Sequence, residues 1–288
     1  MASKSSWCIG IFAGPTALDL TPADLAANPV LTRDDVVDVS AKFVADPFML
    51  RIAGTWHMYF EVMRSDVGER GRGAVGHASS DDGRAWRYDR IVLEEPFHLS
   101  YPLVLRGPDA LHLIPESHAA GGVRLYRADD PSGRWSYAAT LLEGAFVDST
   151  LFEHDGRWWM FAAAPPLRAG RLHLFHARAI AGPWMEHPLS PVVRDDASRA
   201  RPAGRVVTDG GTLVRFAQDC SARYGASVGA FEIVELSVKH YRERAVRDGP
   251  VLGPSGVGWN AVRMHHVDAH REPDGSWLAC VDGDGAVA

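Results

Sequence analysis

The sequence predicts an all-β fold, a five-bladed β-propeller with four-stranded antiparallel blades. One observation is a repeat: a strand, a tight turn and a second, aromatic-rich strand recur five times, about every 50 to 60 residues. Another is the turn chemistry, since pairs such as Asp155-Gly156 provide the backbone freedom that tight hairpins need. A third is the apolar–polar alternation of segments such as 171–177, which is typical of strands with one face on a core.

The repeats assign the elements in chain order. The two inner strands of each blade are expected at 44–50 and 56–61, 101–105 and 111–116, 147–152 and 158–161, 204–207 and 213–219, and 265–268 and 277–281. Outer strands follow in the first three blades at 73–79 and 86–88, 123–128 and 135–137, and 171–177 and 184–186. Blade five has little chain left for outer strands. The strand-like segment 7–12 is therefore expected to pair with it and close the ring, which leaves no open sheet edge.

Length and composition fit one propeller domain over residues 1–288, with blades starting near 46, 101, 148, 205 and 266. The net charge of −6, with scattered basic residues, argues against a nucleic-acid partner. No apolar run reaches membrane-spanning length. The three cysteines, Cys8, Cys220 and Cys280, are odd in number and lack metal-type spacing, so we expect reduced thiols and a cytoplasmic location.

Four motifs resemble the five-bladed propellers of the furanosidase type, shared by glycoside hydrolase families 43, 32, 68 and 130. They are Ala45-Asp46-Pro47-Phe48, Pro115-Glu116-Ser117-His118, Phe146-Val147-Asp148-Ser149 and Pro202-Ala203-Gly204-Arg205. The chain looks most similar to the propeller domain of plant glucosamine inositolphosphorylceramide transferases and their bacterial relatives. The resemblance covers residues from about 43 to 281 and implies a central funnel that takes a glycoside or another small, sugar-like molecule.

In such propellers the innermost strands begin around one axis, so their first residues are expected to converge. These residues are Asp46, Tyr101, Asp148, Arg205 and His266. Glycosidic cleavage needs two carboxyl groups flanking the bond, one as acid and one as base or nucleophile. The resemblance implies that Asp46 is the base or nucleophile and that Asp148 orients the substrate. The alternative for Asp46 is a turn-forming residue before proline.

Blade four departs from the furanosidase pattern, because Arg205 stands where those enzymes keep an acidic glutamate. A guanidinium does not donate a proton near neutral pH, but it can grip a carboxylate or phosphate. Arg205 is thus expected either to anchor an anionic substrate or to pair with Asp148 or Asp46. Glu116 is the leading substitute acid, while Glu61 and Asp219 take the matching places in blades one and four as substrate contacts. Each of the three could instead be a hydrogen-bonded structural carboxylate.

Histidines are the other candidate proton carriers. We expect His266 to be catalytic and His265 and His118 to contact substrate, while His98 and His118 line the same mouth. The sequence predicts no cofactor, although His266, Asp268 and His270 would share one face of a strand and would permit a divalent cation in the channel. Trp259, in a glycine-rich loop, is expected to stack on a sugar or to pack on the blade.

These features support a carbohydrate-active enzyme, a glycosidase or a phosphorylase, with a small molecule or glycoside as its partner. Two other functions stay open. One is a binding propeller without catalysis, which the missing blade-four glutamate favours. The other is a biosynthetic enzyme that uses the funnel for another reaction, such as a cyclisation or an isomerisation.

Overall fold

A computed structural model describes residues 6–24, 27–107, 109–166 and 170–285. Within these residues the strands form five antiparallel sheets of four main strands each, which are the blades of a five-bladed β-propeller. Blade one contains β3 (Ala41–Ile52), β4 (Thr55–Arg64), β5 (Arg72–Ser80) and β6 (Arg87–Leu93). Blade two contains β7 (Ser100–Arg106), β8 (Leu111–Glu116), β9 (Gly122–Ala128) and β10 (Ser136–Glu143). Blade three contains β11 (Val147–His154), β12 (Arg157–Ala164), β13 (Arg171–Ala177) and β14 (Met185–Glu186).

Blade four differs from the others in its innermost strand. The strand is broken into β15 (Arg201–Pro202) and β16 (Val207–Asp209), and both pieces pair with β17 (Thr212–Asp219). The blade continues outward through β18 (Ser227–Leu236) and β19 (Tyr241–Ala245). Gly204 lies in the break with a φ of +126°, and a Cβ there would stand 1.8 Å from the carbonyl oxygen of Val267. The backbones of blades four and five approach closely at this point, which only glycine permits.

The N-terminal segment closes the ring as the sequence predicts. Strand β1 (Ser6–Gly14) pairs antiparallel with β21 (Trp277–Gly285) over its full length, and β2 (Thr21–Pro22) extends the sheet outward. Strand β20 (Val267–Arg271) is innermost in this blade. Blade five therefore combines the two ends of the described chain.

Apolar side chains pack between neighbouring blades. One cluster joins blades one to three around Phe48, Leu103 and Met160. Other clusters join blades three and four, blades four and five, and blades five and one. Each fully buried large apolar side chain stabilises the fold by about 1.5–3 kcal/mol relative to its exposed state. This packing holds neighbouring blades together around the central funnel.

The described residues also contain short 3-10 helices, for example at Arg33–Asp35 and Gly258–Asn260. None of the described helices has the length and apolar character needed to cross a membrane.

Candidate functional site

Three innermost strands share a β-bulge around the funnel. The ladder slips after Ala45 in blade one, after Ser100 in blade two and after Val147 in blade three. The next residue adopts a left-handed conformation in each blade: φ is 52° at Asp46, 44° at Tyr101 and 50° at Asp148. Non-glycine residues adopt this conformation at a cost of about 1–2 kcal/mol. The bulge redirects one side chain per blade, and such strained positions cluster at functional sites.

Asp46 is buried at the centre of the funnel. Its backbone N–H donates to Asp282 Oδ2 (3.1 Å), and its own Oδ2 accepts the backbone N–H of Tyr101 (3.3 Å). Its Oδ1 lies 3.7 Å from Nε2 of His265. Burial, aided by the charges of Asp282 and Asp148 and opposed by that of His265, raises the pKa of Asp46 to about 7. A carboxylate with this pKa can accept a proton near neutral pH.

His265 and Asp282 form a buried pair beside Asp46. His265 Nδ1 lies 2.7 Å from Asp282 Oδ2, and its backbone N–H donates to Oδ1 of the same carboxylate (3.1 Å). The ring stacks on Trp7 with centroids 4.0 Å apart. Burial alone would lower the pKa of His265, but the carboxylates of Asp282 and Asp46 outweigh it and raise that pKa. The two carboxylates thus favour the cationic form of His265 beside Asp46.

Asp148 forms the opposite wall of the funnel with Arg201. The Nε–H of Arg201 donates to Asp148 Oδ2, and the side-chain amide of Gln218 donates to the same oxygen (3.3 Å). Burial raises the pKa of Asp148, and the Arg201 guanidinium partly offsets that effect. The guanidinium of Arg201 also lies over the ring of Tyr224, 4.8 Å from its centroid. Tyr224 is 41% exposed.

Glu61 and Glu116 lie at matching positions on the second strands of blades one and two, opposite Ala45 and Ser100. Their environments differ. Burial would raise the pKa of Glu116, but hydrogen bonds from the side chain (2.5 Å) and backbone (2.9 Å) of His118 lower it below its usual value. Glu61 Oε1 is buried and has no hydrogen-bond partner in the part of the chain that the structure describes. Burial and the charges of the neighbouring carboxylates, Asp46 first, raise the pKa of Glu61 well above its usual value.

The structure places several predicted site residues elsewhere. Arg205 does not face the funnel mouth: its Nε–H donates to Asp268 (2.8 Å), and its Nη2 donates to the carbonyl of Val104 (3.1 Å). It also approaches the carbonyl of Met49 (3.4 Å), which lies three residues beyond Asp46, about 10 Å further along the strand. The predicted pairing with Asp148 or Asp46 is therefore wrong. Arg205 instead donates hydrogen bonds to blades one, two and five within the channel.

Tyr101 and His266 form the floor of the funnel. Both side chains are fully buried, with ring centroids 5.2 Å apart, and both pack on Phe48. The hydroxyl of Tyr101 accepts the backbone N–H of Gly204 (2.6 Å), which spans the channel from blade two to blade four. Burial lowers the pKa of His266 to about 4, so the ring is neutral near pH 7. These positions correct the prediction that His266 carries a catalytic proton and that Tyr101 contacts substrate.

Asp219 and Trp259 also lie outside the funnel wall. The carboxylate of Asp219 accepts the backbone N–H (2.9 Å) and hydroxyl (2.6 Å) of Ser221, which caps a turn. Gln218, one residue earlier, faces the funnel instead, because adjacent strand residues point to opposite faces. Trp259 packs on blade five, where a Cβ on Gly10 would lie 2.5 Å from its ring. Packing, the alternative for Trp259, is what the structure shows.

Sequence reasoning missed several funnel residues, namely Trp7, Arg201, Gln218, Tyr224 and Asp282. Two of them, Arg201 and Gln218, lie in blade four, where the broken inner strand begins at Arg201, four residues before the expected Arg205. In the strand register Gln218 matches Glu61, and Arg201 opposite it matches Ala45. The alternation of β17 was the available signal.

Asp46, His265 and Asp282 form a cluster that is close enough to hold a metal ion, because their ligand atoms lie within 4.8 Å of one another. Two carboxylates and an imidazole are common ligands of divalent cations, but here they are engaged with one another. The oxygens of Asp282 already accept hydrogen bonds from the backbones of Asp46 and His265 and from the ring of His265. The cation site that the sequence would permit, at His266, Asp268 and His270, is likewise engaged. Its carboxylate, Asp268, pairs with Arg205 and with His270 (2.9 Å).

The fold and the acidic funnel define a propeller of the kind found in carbohydrate-active proteins. Similar solved structures include a β-1,2-mannobiose phosphorylase from Listeria innocua, with a TM-score of 0.68 at 12% identity, covering 96% of this chain and 97% of that chain. A thermostable family-43 glycoside hydrolase matches with a TM-score of 0.62 at 12% identity, covering 89% and 91%. At these identities the likeness concerns the fold alone.

Residues 1–284 match the family model described as glucosamine inositolphosphorylceramide transferase 1, N-terminal, and the chain belongs to this family. A glucosamine inositolphosphorylceramide transferase 1 from Oryza sativa subsp. japonica is 34% identical over 302 residues, which is 98% of this chain and 40% of the rice protein. The protein of the same name from Arabidopsis thaliana is 30% identical over 303 residues, 98% and 39%. The chain thus spans about two fifths of the length of these relatives.

Proposed function

We propose that the funnel binds a glycoside and acts on its glycosidic bond, with Asp46 as base or nucleophile and Glu61 as proton donor. One observation carries the proposal: carboxyl groups of different protonation tendency converge in one funnel. Reactions at a glycosidic bond need one carboxyl group that gives a proton and one that accepts a proton or attacks carbon. Asp148, held by Arg201, orients the substrate beside them.

Glu61 suits the acid role better than Glu116 or His266. Glu116 is held ionised by two hydrogen bonds from His118. His266 is a neutral, fully buried ring in the funnel floor. Glu61 keeps its proton because burial and nearby negative charge disfavour the carboxylate. Its Oε2 makes no hydrogen bond with any residue that the structure describes, so the proton can pass to a ligand.

The relatives' name suggests the sugar to test first, a glycoside of glucosamine. Two groups at the mouth suit a sugar ring. Tyr224 offers an exposed aromatic face for its apolar side. Arg201 uses Nε for Asp148, while its terminal nitrogens make no hydrogen bond within the described ranges of the chain. These N–H groups can donate to sugar hydroxyls.

The test uses α- and β-linked glucosaminides, with mannosides for comparison, with and without inorganic phosphate, and detects products by mass spectrometry. Asp46→Asn should abolish turnover of every substrate. Glu61→Gln should reduce turnover about 100-fold or more for alkyl glycosides but much less for nitrophenyl glycosides, because a good leaving group needs no proton. Glu153→Gln, an exposed change on β11, is the control. Equal loss in Glu61→Gln for both leaving groups would exclude Glu61 as the acid.

A second function is a binding propeller without catalysis. It is favoured by blade four, where the residue that matches Glu61 and Glu116 in the strand register is Gln218, which has no acidic proton to donate. The transferase names belong to proteins more than twice as long, which fits a role in presenting a sugar to another domain. Saturable binding of a glucosaminide by the native protein, with no product in any assay, would identify this function.

A further inference from the structure

A histidine side chain lies beside the proposed acid, Glu61. His98 lies in the connection between blades one and two, and its Nε2 is 3.5 Å from Glu61 Oε1. The two atoms do not form a hydrogen bond, since Oε1 has no hydrogen-bond partner among the described residues. Glu61 is 6% exposed, so bulk water does not solvate this oxygen freely. His98 is therefore the polar group placed to respond when Glu61 becomes charged.

The backbone fixes which nitrogen of His98 carries the proton. The N–H of Gly73 donates to His98 Nδ1 (2.9 Å), and the N–H of Leu99 donates to the carbonyl of Gly73 (3.1 Å). Because Nδ1 accepts a hydrogen bond, the neutral ring must hold its proton on Nε2, toward Glu61. A Cβ on Gly73 would lie 2.7 Å from the imidazole and 2.1 Å from the carbonyl oxygen of Leu99. Glycine thus makes room for the ring in this position.

Charged groups around His98 come from both blades. Glu61 faces it from blade one, while Glu116 and His118 face it from blade two. Burial lowers the pKa of His98; the charge of Glu116 opposes this shift and that of His118 adds to it. The ring is consequently neutral near pH 7. A neutral N–H donor can stabilise the Glu61 carboxylate once it forms. A cation in the same place would instead favour ionisation of Glu61 before the reaction.

We propose that His98 is a positioning residue for Glu61, with its Nε2–H donating to Oε1 as the proton leaves Oε2. The inference rests on the proposed acid role of Glu61. Donors aimed at a charge that develops during reaction stabilise it with little reorganisation. In the resting state Nε2 of His98 and Oε1 of Glu61 are not hydrogen-bonded, and the hydrogen bond forms once Glu61 is ionised.

Two carboxamide variants separate this role from a structural one. His98→Asn keeps a polar group near Nδ1 for the N–H of Gly73 but cannot reach Glu61. His98→Gln extends a donor to about the place of Nε2. The midpoint for ionisation of Glu61 is followed by NMR in protein labelled with ¹³C at the glutamate carboxyl carbon, and the signal is assigned by its absence in Glu61→Gln. We expect a rise of about one pH unit in His98→Asn and little change in His98→Gln.

Turnover supplies a second readout. In His98→Asn, kcat should fall about tenfold with KM unchanged, and the high-pH limb of the profile should move upward with the Glu61 midpoint. His98→Gln should retain most of the activity. An unchanged midpoint in His98→Asn, or equal shifts in both variants, overturns the inference. The titration needs no turnover, so a native protein that forms no product but shows the shift refutes the proposed function alone.

Discussion

Replacing Asp46 by asparagine should stabilise the folded protein, and the gain should grow with pH. Burial raises the pKa of Asp46 from 3.8 to about 7 in the folded chain. The protonated form is therefore favoured by folding, so this contribution to stability is complete below pH 3.8 and is lost as the pH rises toward 7. Linkage over that interval gives a penalty of about 2 kcal/mol at pH 5 and about 4 kcal/mol at pH 8. Asparagine does not titrate and avoids this penalty.

The free energy of unfolding is measured by guanidinium chloride denaturation of both proteins at pH 5 and pH 8. The advantage of Asp46→Asn should be about 2–3 kcal/mol larger at pH 8. Asp155→Asn is the matched control, because Asp155 has nearly the same φ, 50° against 52°, but its side chain is 86% exposed. A gain that does not change with pH would refute the reasoning, as would an equal gain in the control.

Two further variants test the floor and the mouth of the funnel. Gly204→Ala should lower the free energy of unfolding by more than about 3 kcal/mol, because the backbone of blade five leaves no room for a Cβ and φ is +126°. Gly210→Ala, with a φ of +57° and no atom within 4 Å of its Cβ, should cost about 1 kcal/mol in the same denaturation assay. Tyr224→Ala should weaken glucosaminide binding about tenfold in calorimetry without changing the melting temperature. Tyr137, 53% exposed on an outer strand, is the control, and Tyr137→Ala should change neither the binding affinity nor the melting temperature. Unaltered affinity in Tyr224→Ala would remove this residue from the binding site.

The blade architecture could be predicted because each repeat carries its own local signals. Turn pairs such as Asp155-Gly156 and the alternation of segments such as 171–177 depend on neighbouring residues only. Ring closure followed from the shortage of chain in blade five, and β1 fills that place. Asp46 and Asp148 were expected in the funnel because each begins an inner strand of a repeat, and the structure places both at the same bulge of their blades.

The remaining funnel residues depend on contacts that a single strand does not encode. Gln218 and Asp219 are adjacent, and only the pairing with β15 decides which one faces the funnel. Arg205 and Arg201 are both plausible anchors by type. The break at Gly204, forced by the approach of Val267 from blade five, assigns them to different levels of the channel. Long-range backbone packing thus settles what local pattern leaves open.

Pairing divides the carboxyl groups of the funnel into two kinds. Asp148, Glu116 and Asp282 each have a basic partner, Arg201, His118 and His265 respectively. The basic groups nearest to Asp46 and Glu61 lie farther away, His265 at 3.7 Å and His98 at 3.5 Å, and burial raises the pKa of both carboxyl groups, as it does that of Asp148. The hydrogen-bonded pairs lower the pKa of Glu116 and Asp282, so these two are ionised. Because like charges at short range cannot all be ionised, their carboxylates make it harder to ionise Asp46 and Glu61. On this account, Asp148→Asn should lower the pKa of Asp46, because the charge of Asp148 raises it.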